Sequence, residues 1–233
     1  MIHPSKHPST MKLKSLPLVL LALAASSGLV SAATTMVYSK TVGTEIPDDD
    51  SSGLVSQIVV SGTGVVSGIE FTLVTSGGWN GDLYAYLEHN GVISVLLNRP
   101  GVTSSNSLGV GSSGMNVIFA DAALEDVHSG LSDVFEELAT GTYKPDGRNV
   151  DPGVVLDTSP RTLFLSGFNG QLAAGEWTLF IADLSAGDTA TLDSWSLALT
   201  TEVSAVPEPG AMMPLGALFA AGLLLRKRRR ETV

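Results

Sequence analysis

The chain has 233 residues, no cysteine and a formal net charge of −10, which excludes a disulfide framework, thiol catalysis and cysteine-ligated zinc. The charge is segregated: residues 33–210 hold 22 acidic side chains against five basic ones, Lys40, Arg99, Lys144, Arg148 and Arg161. A surface of that sign repels phosphate backbones, so nucleic acid is excluded as a partner.

Lys12 and Lys14 precede an apolar run, Leu16 to Ala25, and small residues follow at Val30-Ser31-Ala32. Basic region, apolar region and small-residue site together predict a secretory signal peptide over residues 1–32, with cleavage after Ala32. Residues 1–10 read as an upstream extension, with Met11 as an alternative start.

Residues 33–205 read as one domain with its core over 41–201. Period-two alternation recurs there. Ile69, Phe71 and Leu73 share one face of a run, and Leu83, Ala85 and Leu87 alternate with Tyr84 and Tyr86. Trp177, Leu179 and Ile181 alternate with Thr178 and Phe180, and Trp195, Leu197 and Leu199 with Ser194, Ser196 and Thr200. Further short apolar runs lie at 54–60, 92–97, 117–119 and 163–165. Gly77-Gly78, Asn80-Gly81, Asn90-Gly91, Asn169-Gly170 and Gly187-Asp188 fall between runs, where turns are wanted. About eight or nine short strands with such punctuation predict an all-β sandwich or barrel. One segment departs from this: Leu124, Val127, Leu131, Val134, Phe135 and Leu138 recur at helical spacing, which predicts one or two helical turns over a sandwich edge.

The order of landmarks is also specific. Ile46-Pro47-Asp48 is expected just before the first strand, and Gly81-Asp82-Leu83 opens an alternating one. The chain ends its strand region on Gly175-Glu176-Trp177-Thr178-Leu179, Ala182-Asp183 and Asp193-Ser194-Trp195-Ser196-Leu197. This series resembles the P domain (P/Homo B domain) that follows the catalytic domain of subtilisin-like proprotein convertases. The resemblance implies a jelly-roll β-sandwich that stabilises a protease domain and influences its calcium or pH dependence. Ala190, where the family commonly has glycine, and a long loop over residues 148–160 depart from the pattern.

Candidate chemistry is sparse. A serine-protease triad needs a histidine base, and residues 33–210 hold only His89, beside a hairpin turn, and His128, in the helical segment. Surface positions are expected for both. Asp48, Asp82 and Asp183 fall at strand ends, where hard oxygen ligands on loops can hold calcium. The same carboxylates can instead accept backbone N–H groups and close turns. Trp79, in a glycine-rich loop, with Tyr84 and Tyr86 on one strand face, forms a candidate carbohydrate-binding group; Trp177 and Trp195 are in the apolar phase and are expected in the core.

At the far end, Pro207-Glu208-Pro209 precedes an apolar stretch over 211–225 and the basic run Arg226, Lys227, Arg228, Arg229 and Arg230. As a helix the apolar stretch is roughly 22 Å long at 1.5 Å per residue, short of a ~30 Å hydrocarbon core. The basic run would stay cytoplasmic and leave the domain on the other side. Together the three parts resemble the PEP-CTERM sorting tail, which implies processing by an exosortase-type enzyme; the alternative is a plain C-terminal anchor. The expectation is therefore an exported, non-catalytic sandwich. It is held at the inner membrane by its tail and then sorted to the cell surface or extracellular matrix. The alternatives are a module that docks on a separate subtilisin-like protease and a surface module that binds extracellular polysaccharide.

Overall fold

The computed structural model describes residues 33–62 and 64–202; the expected signal peptide, the Pro207-Glu208-Pro209 motif, the apolar stretch 211–225 expected to enter the membrane and the basic run lie outside them. No helix among the described residues is long and apolar enough to cross a membrane.

Among the described residues, nine strands form two packed sheets. The first sheet has the order β1 (Ala33–Glu45), β9 (Ala190–Glu202), β3 (Val65–Gly77), β6 (Met115–Phe119) and β7 (Ala139–Tyr143). The second has the order β2 (Leu54–Val60), β8 (Gly175–Asp183), β4 (Leu83–His89) and β5 (Val92–Asn98). All pairings are antiparallel except β6 with β7.

The alternation in sequence decides which side chains fill the space between the sheets. Leu83, Ala85, Leu87 and His89 of β4 point inward and Tyr84, Tyr86 and Glu88 outward. Trp177, Leu179 and Ile181 of β8 meet Phe71, Leu73, Trp195, Leu197 and Leu199 of the other sheet in one buried cluster. Trp195 stacks on Phe71 with centroids 5.6 Å apart. Both buried indoles keep a partner for their N–H: Trp177 donates to the Ala173 carbonyl at 3.0 Å and Trp195 to the Ser56 hydroxyl at 2.9 Å. A buried polar group left without such a bond would cost ~1–3 kcal/mol.

The structure corrects two expectations. The first strand is β1, ahead of Ile46-Pro47-Asp48, because an edge strand with one side open needs no apolar alternation; nearly all its residues are exposed. Residues 163–165 are not a strand: Leu165–Phe168 is a 3-10 turn that lays Leu165 and Phe168 into the core. The helical spacing yields one turn, α1 (Val127–Gly130), within the one or two expected, with its N-terminus capped by Asp126. Val127 and Leu131 are buried, but Leu124 is 95% exposed and Phe135 65%, so the later apolar positions do not continue a helical face.

Register defines two poles. Ala33 pairs with Glu202 at one end of the sandwich. Leu83 pairs with Asp183 and Leu54 with Ile181 at the other. The loops 46–53, 78–82, 99–114 and 184–189 gather at this second pole, away from the strand ends that carry the termini.

Candidate functional site

At the loop pole the structure brings the three predicted aspartates together and adds Asp188. Asp48 accepts the Gly187 N–H with both carboxylate oxygens at 3.2 Å, and Asp183 Oδ1 accepts the Ser185 N–H at 3.3 Å. Asp82 takes a donor bond from Arg99 Nη2 at 3.3 Å. Asp48 thus ties the β8–β9 loop to the 46–53 loop, Asp183 closes the turn that follows its own strand, and Asp82 holds Arg99. Among the described residues no group of three acidic or histidine side chains is arranged to hold a metal ion. Asp183 is fully buried and its Oδ2 has no partner among the described residues. Burial, reinforced by the charges of Asp82, Asp48 and Asp188 and only partly opposed by the Ser185 N–H, pushes its carboxyl up to about 6. Burial also raises Asp82, against the opposing hydrogen bonds from Ser185 and Arg99.

The aromatic candidates separate. Trp79 donates its indole N–H to the Leu108 carbonyl at 2.9 Å, and its ring meets Phe135 edge-on with centroids 5.9 Å apart. Its ring also covers Gly111 so closely that a Cβ there would lie 2.7 Å from it. Trp79 is therefore a packing residue of the 99–114 loop and does not join the two tyrosines. Tyr84 and Tyr86 instead meet Phe180, the outward residue opposite Tyr86 on β8. Tyr86 and Phe180 stack at 4.9 Å and 16°, and Tyr84 meets both edge-on at 6.1 and 6.2 Å. The three rings line a cleft of about 680 Å³ on the outer face of the second sheet, walled by Ser51, Leu184 and residues 149–153. Phe180 was readable as outward from the alternation of β8. The wall was not, because nothing in the sequence says where an irregular loop lies.

What holds that wall is a buried polar cluster that sequence reasoning missed. Asn98, at the end of β5, donates to the carbonyls of Arg148 and Val150 at 3.0 Å each. Arg148 reaches Asp126 at 3.0 Å and Asp146 at 3.1 Å, and donates to the Asp157 carbonyl at 2.8 Å. Arg161 donates to the carbonyls of Pro145 and Asp146 at 2.7 Å and lies over the Phe164 ring. His128 completes the cluster, its Nδ1 2.9 Å from Asp146 and its Nε2 2.9 Å from the Val102 carbonyl. Three of the five basic residues noted above, Arg99, Arg148 and Arg161, are thus occupied in fixing loops.

Neither histidine is at the surface, contrary to expectation; both are buried. The ring of His89 stacks on Trp177 at 4.0 Å, and its nitrogens lie 2.7 Å from the carbonyls of Glu176 and Leu172. His128 and Asp146 have the spacing of two triad members, but the outer nitrogen faces a backbone carbonyl and no hydroxyl nucleophile. For His128, burial alone would lower the pKa, yet the Asp146 hydrogen bond and charge and the Val102 bond together leave it raised. Both rings serve the fold and are closed to a substrate.

No curated protein matches the chain. Two solved structures are similar in part. One is the serine protease of Aeromonas sobria, at 16% identity and a TM-score of 0.44, covering 77% of this chain and 29% of that one. The other is the complex of that protease with the chaperone ORF2, at 14% identity and a TM-score of 0.43, covering 74% of this chain and 27% of that one. The chain thus spans less than a third of the length of either match. A family model for the proprotein convertase P-domain matches residues 156–199, the stretch that runs through β8 into β9 and contains the Gly175-Glu176-Trp177-Thr178-Leu179 and Ser194-Trp195-Ser196-Leu197 segments.

Proposed function

We propose that the chain is an exported, non-catalytic docking module of the P-domain type, carried to the cell surface or extracellular matrix by its sorting tail. The observation that carries this reading is the P-domain match over residues 156–199, which falls on the two strands that organise both sheets. The alternation of sheets along the chain suits the jelly roll that the resemblance implies. Commitment of His89 and His128 to buried bonds supports a role without general-base chemistry. Cleavage after Ala32 would make Ala33 the first residue, and Ala33 lies opposite Glu202, so signal and tail would leave the sandwich from one pole.

The intact mass of the protein recovered from its native envelope tests the routing. A species that begins at Ala33 and ends near residues 207–210 is expected. Retention of Arg230 would replace sorting with a standing anchor, and retention of the signal would remove export by cleavage. The same match favours a second reading, docking on a separately encoded subtilisin-like protease. Affinity capture of such a protease from the envelope by the full chain, with no proteolysis by the chain alone, is the outcome that would prefer it.

A further inference from the structure

Resting on the docking-module reading, we infer that the cleft formed by Tyr84, Tyr86 and Phe180 with the 149–153 wall binds a neutral polysaccharide chain. Its about 680 Å³ lies within the ~300–1,000 Å³ typical of small-ligand sites, large enough for a short run of sugar rings. The floor is aromatic and the wall carries polar groups among apolar ones, which matches a pyranose: one side presents C–H groups to a ring, and the rim presents hydroxyls. The hydroxyls have suitable partners. Asn149 and Asp151 are exposed on the wall, and Ser51 stands across from them. Asp151 uses one carboxylate oxygen on the Gly153 N–H at 2.7 Å, leaving the other to accept. Neither the Tyr84 nor the Tyr86 hydroxyl bonds another described residue, whereas those of Tyr38 and Tyr143 both do. Burial, with the neighbouring Tyr86 and Asp146, raises the Tyr84 phenol, so it remains a neutral donor at any ordinary pH.

Charge narrows the occupant further. Among the described residues no lysine or arginine lines the cleft, and the domain around it is strongly acidic, so uronic-acid and sulfated polymers are repelled. The wall is also held in place before a ligand arrives. Asn98 and the β5 backbone hold residues 146–150, and the Arg148 and Arg161 bonds close the segment on itself and on Asp126, which lowers the ordering cost of binding.

Affinity electrophoresis of the full chain through gels containing neutral glucan, galactan or mannan, with alginate as the anionic comparison, tests this. Retardation by a neutral polymer and none by alginate is expected. Tyr86→Phe removes one hydroxyl and keeps the ring, and Asn149→Ala trims an exposed side chain. Each should weaken binding about tenfold, equivalent to ~1.4 kcal/mol. Trp79→Phe should leave binding unchanged, and near-UV circular dichroism should show all three variants folded. Absence of retardation in every neutral gel overturns the inference. So does retardation that folded Tyr86→Phe and Asn149→Ala variants retain in full, or retardation by alginate alone. Release of reducing ends from a retarding polymer would support the cleft while overturning the non-catalytic reading, so the two fail separately.

Discussion

Asp183 and His128 are both buried ionisable groups, and both make the fold more stable in acid. The Asp183 carboxyl titrates near 6 in the folded chain against 3.8 ordinarily. The folded state therefore holds its proton over a range where the unfolded state has released it, and stability falls as pH rises from about 4 to about 6. Two pKa units correspond to about 3 kcal/mol of penalty above that window. Asp183→Asn keeps an oxygen for the Ser185 N–H and removes the charge facing Asp82, Asp48 and Asp188. Its melting temperature at pH 7.5 should exceed that of the parent, and the difference should vanish near pH 4. Equal melting temperatures at both pH values would mean that the carboxylate is already compensated. His128 has a raised pKa, so its contribution is complete below the ordinary value of 6.5 and is lost as pH rises through the folded value. His128→Gln leaves Asp146 with Arg148 as its one charged partner, and a loss of about 3 kcal/mol is expected from breaking a buried pair. Denaturant melts at pH 6 and pH 9 should show that loss largest at the lower pH.

At the level of strands and turns, sequence was informative wherever one face is wet and the other dry. β4 alternates throughout, β8 from Trp177 to Ile181 and β9 from Trp195 to Leu199, because each covers the core with one side, and Trp177 and Trp195 were readable as core for that reason. β1 and β7 were not readable. The first is an open edge, and the second buries only Ala139 and Tyr143 at its two ends. The 148–160 loop was conspicuous only by its length, since its position comes from charged groups scattered over Asp126, Asp146, Arg148 and Arg161. The candidate site was half legible as a result: its floor follows from alternation and its wall from long-range ion pairs that no local pattern encodes. Two glycines show how turns differ. Gly91 follows Asn90 in the β4–β5 hairpin, both with positive φ, and a Cβ there would touch nothing within 4 Å. Gly91→Ala should cost only the backbone strain of about 1 kcal/mol. A Cβ on Gly81 would sit 2.3 Å from the Leu108 carbonyl oxygen and 2.8 Å from the Val110 nitrogen. Both are backbone atoms, so the 99–114 loop must move. Gly81→Ala should lower the urea midpoint more than Gly91→Ala, and the reverse order would mean that this loop yields easily.

Considered whole, the molecule has one core shared by both sheets, with Trp177 on one side and Trp195 on the other. Tryptophan emission and far-ultraviolet circular dichroism should therefore lose signal at the same denaturant concentration, as a single cooperative unit requires. Separated transitions would show that the sheets melt independently. The strand order has a further effect on how the chain is made. β9 is flanked by β1 and β3, and β8 by β2 and β4, so the two strands nearest the C-terminal end lie between strands contributed by the N-terminal half. Until the ribosome has delivered residues 175–202, β1 and β2 lack the strand each pairs with and β3 and β4 lack one of their two neighbours, and long-range closure of this kind is slow. A nascent chain with its keystones still to come stays threadable, which is the condition a secretion channel imposes on whatever passes through it.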